Sequence, residues 1–221
     1  MEQSFSHHNN IKEPFDKLLD KLFNYKRDGF YIEIGGNDGI TQSNTAFFEF
    51  YRNWKGILIE PSKKGYNLCI QNRPNSICIN KRCVSNNYIG TTARGNFENN
   101  SLMASINGLR EKDYDNTSIE IQVSTLEKIL DEIDLQKLNI KNIDLLTLDV
   151  EGYELEVLEG LNINKYRPTY MLIEIYTIQY NSIVNFLTKN NYKLVCCFSN
   201  YNKLDNPGWD GTHNDFLFMR I

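Results

Sequence analysis

The sequence predicts a single α/β domain with a mostly parallel sheet and helices on both of its faces. Three observations point there. First, residues 29–39 read GFYIEIGGNDG. Residues 30–34 are a short apolar run with one charge, Glu33, which suits a buried strand, and Gly35, Gly36 and Gly39 follow at once. Second, Phe47, Phe48, Tyr51 and Trp54 recur at helical spacing just beyond. A strand, a glycine loop and a helix open nucleotide-binding sheets, because glycine turns tightly and lets a ligand approach the backbone. Third, strand-like and helix-like runs keep alternating along the chain, in the order βαβαβ, an irregular stretch, then αβαβαββ.

Residues 1–10 are polar and read as a disordered tail, leaving 11–221 as the domain. Over 11–26, Phe15, Leu18, Leu19 and Leu22 mark a helix, and Pro14 is tolerable in its first turn. A second strand over 56–59 ends in Glu60, and Pro61 and Ser62 start a helix over 63–71. Residues 76–80 read as a third strand and 81–85 as the turn after it. Residues 86–118, full of Asn, Gly, Ser and Thr, are too long for an ordinary connection, so they read as an insertion or a lid. Residues 119–123 suit one strand of that insertion. Ser124 and Glu127 match the S-x-x-E capping pattern ahead of the stripe Leu126, Ile129, Leu130 and Ile133. Residues 143–148 form a strongly apolar strand ending at Asp149, and 154–161 a short helix closed near Gly160. Residues 170–175 are a strand carrying Glu174, and Ile183, Phe186 and Leu187 mark another helix. The last two strands fall over 193–198 and 216–219, joined by a polar loop with Trp209 and His213.

At 221 residues, the chain suits one sizeable core, and 41% hydrophobic with 24% charged residues is ordinary for a soluble protein. No apolar run reaches the length of a membrane span, and the first residues lack the basic and apolar regions of a secretory signal. A net charge of −4 argues against a nucleic-acid partner. The five cysteines, an odd count, show no zinc-site spacing. Cys78 and Cys197 lie in apolar runs and read as buried thiols, and a reducing, cytoplasmic setting is the simplest account.

Glu60 lies about twenty residues past the glycine loop, where such folds put a carboxylate on ribose hydroxyls. A pyrophosphate loop reads G-x-G-x-x-G, but the matching positions here hold Gly35, Asn37 and Ile40. Two glycines of the three are missing. Glu33 and Asp38 would repel a pyrophosphate and suit an ammonium. Asp149, at the carboxyl end of an apolar strand next to the expected crevice, reads as a site residue, although it could cap the next helix. Glu174 inside an apolar strand needs a partner.

The combination YIEIGGNDG, GILIEP, STLEKIL and IDLLTLDVEGYELEVLEGL resembles the FkbM family of S-adenosylmethionine-dependent methyltransferases. The resemblance runs from about residue 29 to 175, with a weaker echo in DFLFMR, and its most specific piece is residues 144–160. Gly36 departs from it, since the family usually has alanine there. The resemblance implies a Rossmann-like class I methyltransferase fold with seven strands. It implies S-adenosylmethionine as cofactor, which has a sulfonium, an ammonium and no phosphate. It places that cofactor on Glu33, Gly35, Gly36, Asn37, Asp38, Gly39, Glu60, Pro61, Asp149 and Val150. The adenine is expected after the third strand, at Lys81, Cys83 and Val84, where backbone groups can do the work.

The activity expected is methylation of a hydroxyl of a small molecule, on a sugar, nucleotide sugar or glycan. Asp149 is the first candidate for the base, with Glu174 and His213 behind it. Glu151, Glu154 and Trp209 are candidates for substrate binding. Asp149 and Glu174 could together hold Mg²⁺, but protein or cofactor donors are the favoured partners, and no metal is assigned. The other readings are an NAD-dependent oxidoreductase or sugar epimerase, or a fold-alike that binds the cofactor without chemistry.

Overall fold

All five residues of the strand Phe30–Ile34 are buried, and the rest of the fold is layered around it. The computed structural model describes residues 2–6, 13–95, 119–204, 207 and 211–221. In chain order the elements are α1 (Phe15–Leu22), β1 (Phe30–Ile34), α2 (Ala46–Arg52), β2 (Lys55–Ile59), α3 (Lys63–Asn72), β3 (Ser76–Ile79), β4 (Arg82–Cys83), β5 (Thr92–Gly95) and β6 (Ile119–Ser124). Then follow α4 (Leu126–Ile133), β7 (Leu145–Leu148), α5 (Glu154–Glu159), β8 (Tyr170–Tyr176), α6 (Tyr180–Lys189), β9 (Tyr192–Cys197) and β10 (His213–Arg220).

Seven strands form the main sheet, in the order β3-β2-β1-β7-β8-β10-β9. All pairings are parallel except those of β10, which runs antiparallel to β8 and β9. Strand order reverses at β1 and β7, and such a switch point opens a crevice at the carboxyl ends of the strands. The two faces are covered by different helices. On one, Phe15 and Leu19 of α1, Phe47 and Phe48 of α2, and Cys69 of α3 pack with Tyr31, Leu58, Leu145 and Leu172. On the other, Leu126, Ile129 and Leu130 of α4, Val157 and Leu158 of α5, and Ile183 and Leu187 of α6 pack with Ile32, Ile34, Ile57, Leu148 and Ile173. Burial on both faces explains why the central strands read as unbroken apolar runs.

Several expectations are corrected. Residues 2–6 are not a loose tail. Asp16 accepts bonds from Ser4 Oγ and from the amides of Phe5 and Ser6, and Arg52 pairs with Glu2. The first helix is Phe15–Leu22, shorter than 11–26, and Trp54 lies beyond α2. Residues 82–83, expected in a turn, are a strand paired with β6, so a small β4-β6-β5 sheet joins the insertion to the domain. The cap of α4 is Thr125, not Ser124. Thr125 Oγ1 accepts from Lys128 N at 3.3 Å, while Ser124 ends β6. Cys69 and Cys83 are the buried thiols, whereas Cys78 and Cys197 are half-buried. The segment 96–118 and Trp209 lie outside the described residues.

Candidate active site

The register of the sheet builds the site. Ile34 pairs with Ile59 and with Leu148, and Leu148 pairs with Ile173. One step further in the same register lie Gly35, Glu60, Asp149 and Glu174; the first three directly follow their strands, and Glu174 is still within β8. Glu174 itself pairs with Asp215 on β10. Four acids and one glycine therefore occupy a single row across the carboxyl edge. With strands spaced by about 4.8 Å, the row spans about 19 Å. Gly35 is the one member without a side chain, and it can be nothing else. A Cβ there would lie 1.9 Å from the Asp149 carbonyl oxygen, and its φ is +90°.

Glu60 is buried and holds the glycine loop. Its Oε2 accepts from Asn37 N at 2.8 Å and its Oε1 from Ser62 N at 2.7 Å. Burial pushes its carboxyl up to about 7, against the pull of those two amides. Asn80 Nδ2 donates to the carbonyls of Glu60 and Pro61. Asn37 adopts the left-handed conformation, φ 49°. Asp38 folds the loop onward by accepting from the amides of Ile40 and Thr41 and from Thr41 Oγ1. Burial raises its pKa, but these bonds together outweigh that and hold it below the usual range. Gly36 tolerates the alanine usual in the resembling family, since a Cβ would meet Cys69 and Leu58 at an ordinary 3.5 Å.

Glu33 is already engaged beneath the loop. Ser43 Oγ, Asn44 N, Thr45 Oγ1 and Arg73 Nη1 all donate to its carboxylate. Cys83 and Val84 are buried, and Val84 N donates to Ser124 O at 3.1 Å.

The other end of the row is acidic. Asp149 retains solvent access but sits in a hollow with protein on most sides. That crowding, then the charges of Asp215 and Glu154, push its carboxyl up to about 7. Burial, then Asp149 and Asp215, raise Glu174 well above the usual range. Like charges gathered at this end of the row disfavour the fully ionised state, as in close carboxylate pairs. Asp215 is buried and pushed to about 7, opposed by Ser199. Glu154 is fully buried. Its Oε1 accepts from Val150 N at 3.1 Å and Gly152 N at 3.0 Å, which fixes the loop after Asp149, and burial pushes it to about 7.

His213, expected in a surface loop, begins β10. Its Nε2 lies 3.4 Å from Glu174 Oε1 and its Nδ1 2.9 Å from Thr212 Oγ1. Tyr176 donates to Glu151 Oε2 at 2.7 Å. The Tyr176 and Tyr201 rings flank His213 at 5.5 and 6.3 Å. Sequence reading missed Asp215 and Tyr176. Asp215 carried the same signal as Glu174, a carboxylate in an apolar strand, within DFLFMR. Among the described residues, no group of three or more His, Cys, Asp or Glu side chains is disposed to hold a metal ion, and no helix is long and apolar enough to cross a membrane.

The fold recurs in solved structures. The methyltransferase FkbM from Methylobacillus flagellatus matches with TM-score 0.54 and 15% identity, over 93% of this chain and 48% of that one, so the chain spans about half of that protein. Precorrin-6y C5,15-methyltransferase from Geobacter metallireducens matches with TM-score 0.50 and 8% identity, over 97% of this chain and 93% of that one. Aeropyrum pernix fibrillarin, in complex with natively bound S-adenosyl-L-methionine, matches with TM-score 0.50 and 13% identity, over 92% and 74%. No curated protein matches the sequence. The model of the methyltransferase FkbM domain covers residues 33–194, most of the chain. The chain belongs to the FkbM family and is an S-adenosylmethionine-dependent methyltransferase.

Proposed function

We propose that the enzyme methylates a hydroxyl oxygen of a small molecule, a sugar, nucleotide sugar or glycan, in the cytoplasm. The single observation that carries this reading is the acid row, with Gly35 of the glycine loop between Glu60 and Asp149.

The residues present fit the cofactor. Gly35 and Gly39 hold φ of +90° and +82°, and a Cβ at Gly39 would meet Arg73 Cγ at 2.9 Å, so the tight path of the loop depends on both glycines. Glu60, next to that loop, is the acceptor for the ribose hydroxyls. Asn37, Asp38, Pro61, Val150, Cys83 and Val84 complete the proposed cofactor contacts, and Glu33 acts through the donors it holds. When bound, the cofactor supplies a methyl group on a cationic sulfur.

The acceptor oxygen needs to lose its proton as it takes that methyl, and a hydroxyl is a poor nucleophile until a base accepts the proton. Asp149 is solvent-accessible, stands beside Gly35 and titrates at about 7. It is the proposed base. Glu174, the next acid in the row, and His213, whose Nε2 lies 3.4 Å from Glu174 Oε1, stand behind it as further candidates. Aromatic rings of Tyr176 and Tyr201 near carboxyl and amide groups suit a ring that is apolar on one face and hydroxyl-edged. Glu151, Glu154 and Trp209 remain the substrate-side candidates, Glu154 by fixing the loop that carries Glu151. The five free cysteines agree with a reducing compartment.

The test is incubation with labelled S-adenosylmethionine and panels of sugars, nucleotide sugars, peptides and RNA. Label in a sugar hydroxyl is expected, and label in protein or RNA alone would refute the reading. Asp149→Asn should lower kcat by on the order of 10²–10⁴. Activity is expected to survive thorough chelation, and restoration only by added Mg²⁺ would place a metal on Asp149 and Glu174.

A further inference from the structure

The glycine loop is held from behind by the last turn of α3 and the residue that caps it. Cys69 Sγ lies 3.7 Å from Gly36 O and 3.2 Å from Asn37 O. Asn72 Nδ2 donates to Asp38 O at 2.8 Å, and Arg73 Nη1 donates to Gly39 O at 2.9 Å. Four successive loop carbonyls thus accept from three side chains of one helical turn. Arg73 is fully buried and spends its other donors on the surroundings of the loop. Nη1 reaches Ser43 Oγ at 3.1 Å, and Nη2 reaches Thr45 Oγ1 at 2.9 Å and Tyr31 OH at 2.6 Å. Nε donates to Glu49 Oε2 at 2.8 Å. The same guanidinium therefore ties the loop to β1 and α2.

We infer that this turn, through Asn72 and Arg73, is a positioning device that pre-forms the loop for S-adenosylmethionine and so sets cofactor affinity; the inference rests on the cofactor placement proposed above. Neither residue needs to touch the cofactor. Carbonyls that point at α3 fix the path of the loop before any ligand arrives. A loop competent for only a fraction of the time binds with its dissociation constant divided by that fraction. Loosening the turn then weakens S-adenosylmethionine and S-adenosylhomocysteine by one common factor, because the penalty lies in the loop and not in a contact to the methyl. KM for the cofactor rises, and kcat holds, since neither side chain bonds to Asp149 or Glu174.

Calorimetric titration of wild type, Asn72→Ala and Arg73→Lys with both ligands tests this, alongside melting temperatures and steady-state kinetics. Asn72 is only partly buried, so its variant keeps the test open if Arg73→Lys does not fold. Asp20→Asn is the control for stability alone: it breaks the buried Asp20–Arg52 pair between α1 and α2, away from the loop. Expected is an affinity loss of roughly three- to tenfold for Asn72→Ala and at least tenfold for Arg73→Lys. The loss should be equal for the two ligands, with kcat retained and Asp20→Asn binding as wild type does. Variants that melt lower but bind as wild type does would overturn the inference. So would an equal loss in Asp20→Asn, or unequal losses for the two ligands. Wild type that binds neither ligand would overturn the cofactor placement itself.

Discussion

At the scale of single residues, the acids carry the proposed chemistry of the crevice. Glu60 accepts from the amides of Asn37 and Ser62, and the proposed cofactor placement gives it the ribose hydroxyls as well. Glu60→Ala removes both, so calorimetry should register a loss of roughly tenfold or more in cofactor affinity; unchanged affinity would displace the ribose from Glu60. Glu60, Asp149 and Glu174 were legible in the sequence because a carboxylate in or at the end of an apolar strand is expensive without a purpose. Asp215 escaped although it obeys the same rule. Its partner strand is distant in sequence, and only the antiparallel register of β8 and β10 brings it opposite Glu174. Arg73 was illegible for a different reason. A charged residue after a helix reads as solvated surface, and nothing local announces that Glu33, Glu49 and Gly39 converge on it.

Elements follow local rules closely but not completely. The strand Phe30–Ile34 matches its apolar run residue for residue. The capping motif ahead of α4 was misread by one position, because Ser124 and Thr125 are both plausible caps and only the sheet shows that Ser124 is still in β6. Circular dichroism melts can separate the two. Thr125→Ala should cost about 1 kcal/mol by leaving Lys128 N without its cap. Ser124→Ala should cost well under that, and the reverse order would restore the sequence reading. The strand Arg82–Cys83 was missed because two residues carry no periodicity, and its pairing partner lies beyond the whole insertion. Local pattern cannot announce so distant a pairing.

For the whole molecule, the alternation of strands and helices was enough to anticipate the main sheet, while the insertion offered no period from which to derive structure. The acids also give the molecule a collective pH response. Glu60, Glu154 and Asp215 are buried and titrate at about 7 when folded, above the ordinary carboxylate value. The folded state then binds more protons than the unfolded chain between about pH 4.5 and 7, so stability is lost as pH rises through that window. The expected loss is on the order of a few kcal/mol, seen as a melting temperature that falls from pH 5 toward pH 8 without cofactor. Glu154→Gln keeps an acceptor for the Val150 and Gly152 amides and should flatten the slope. A melting temperature that rises over the same range would contradict the picture. The position of β10 has a consequence in time as well. It inserts between β8 and β9, and it carries Asp215, so a ribosome must deliver residue 215 before the acid row is whole. Until then β8 is an open edge and Glu174 lacks a neighbour on one side. The nascent chain can close its glycine loop early, whereas the row proposed to handle the proton waits for a strand made some forty residues after β8.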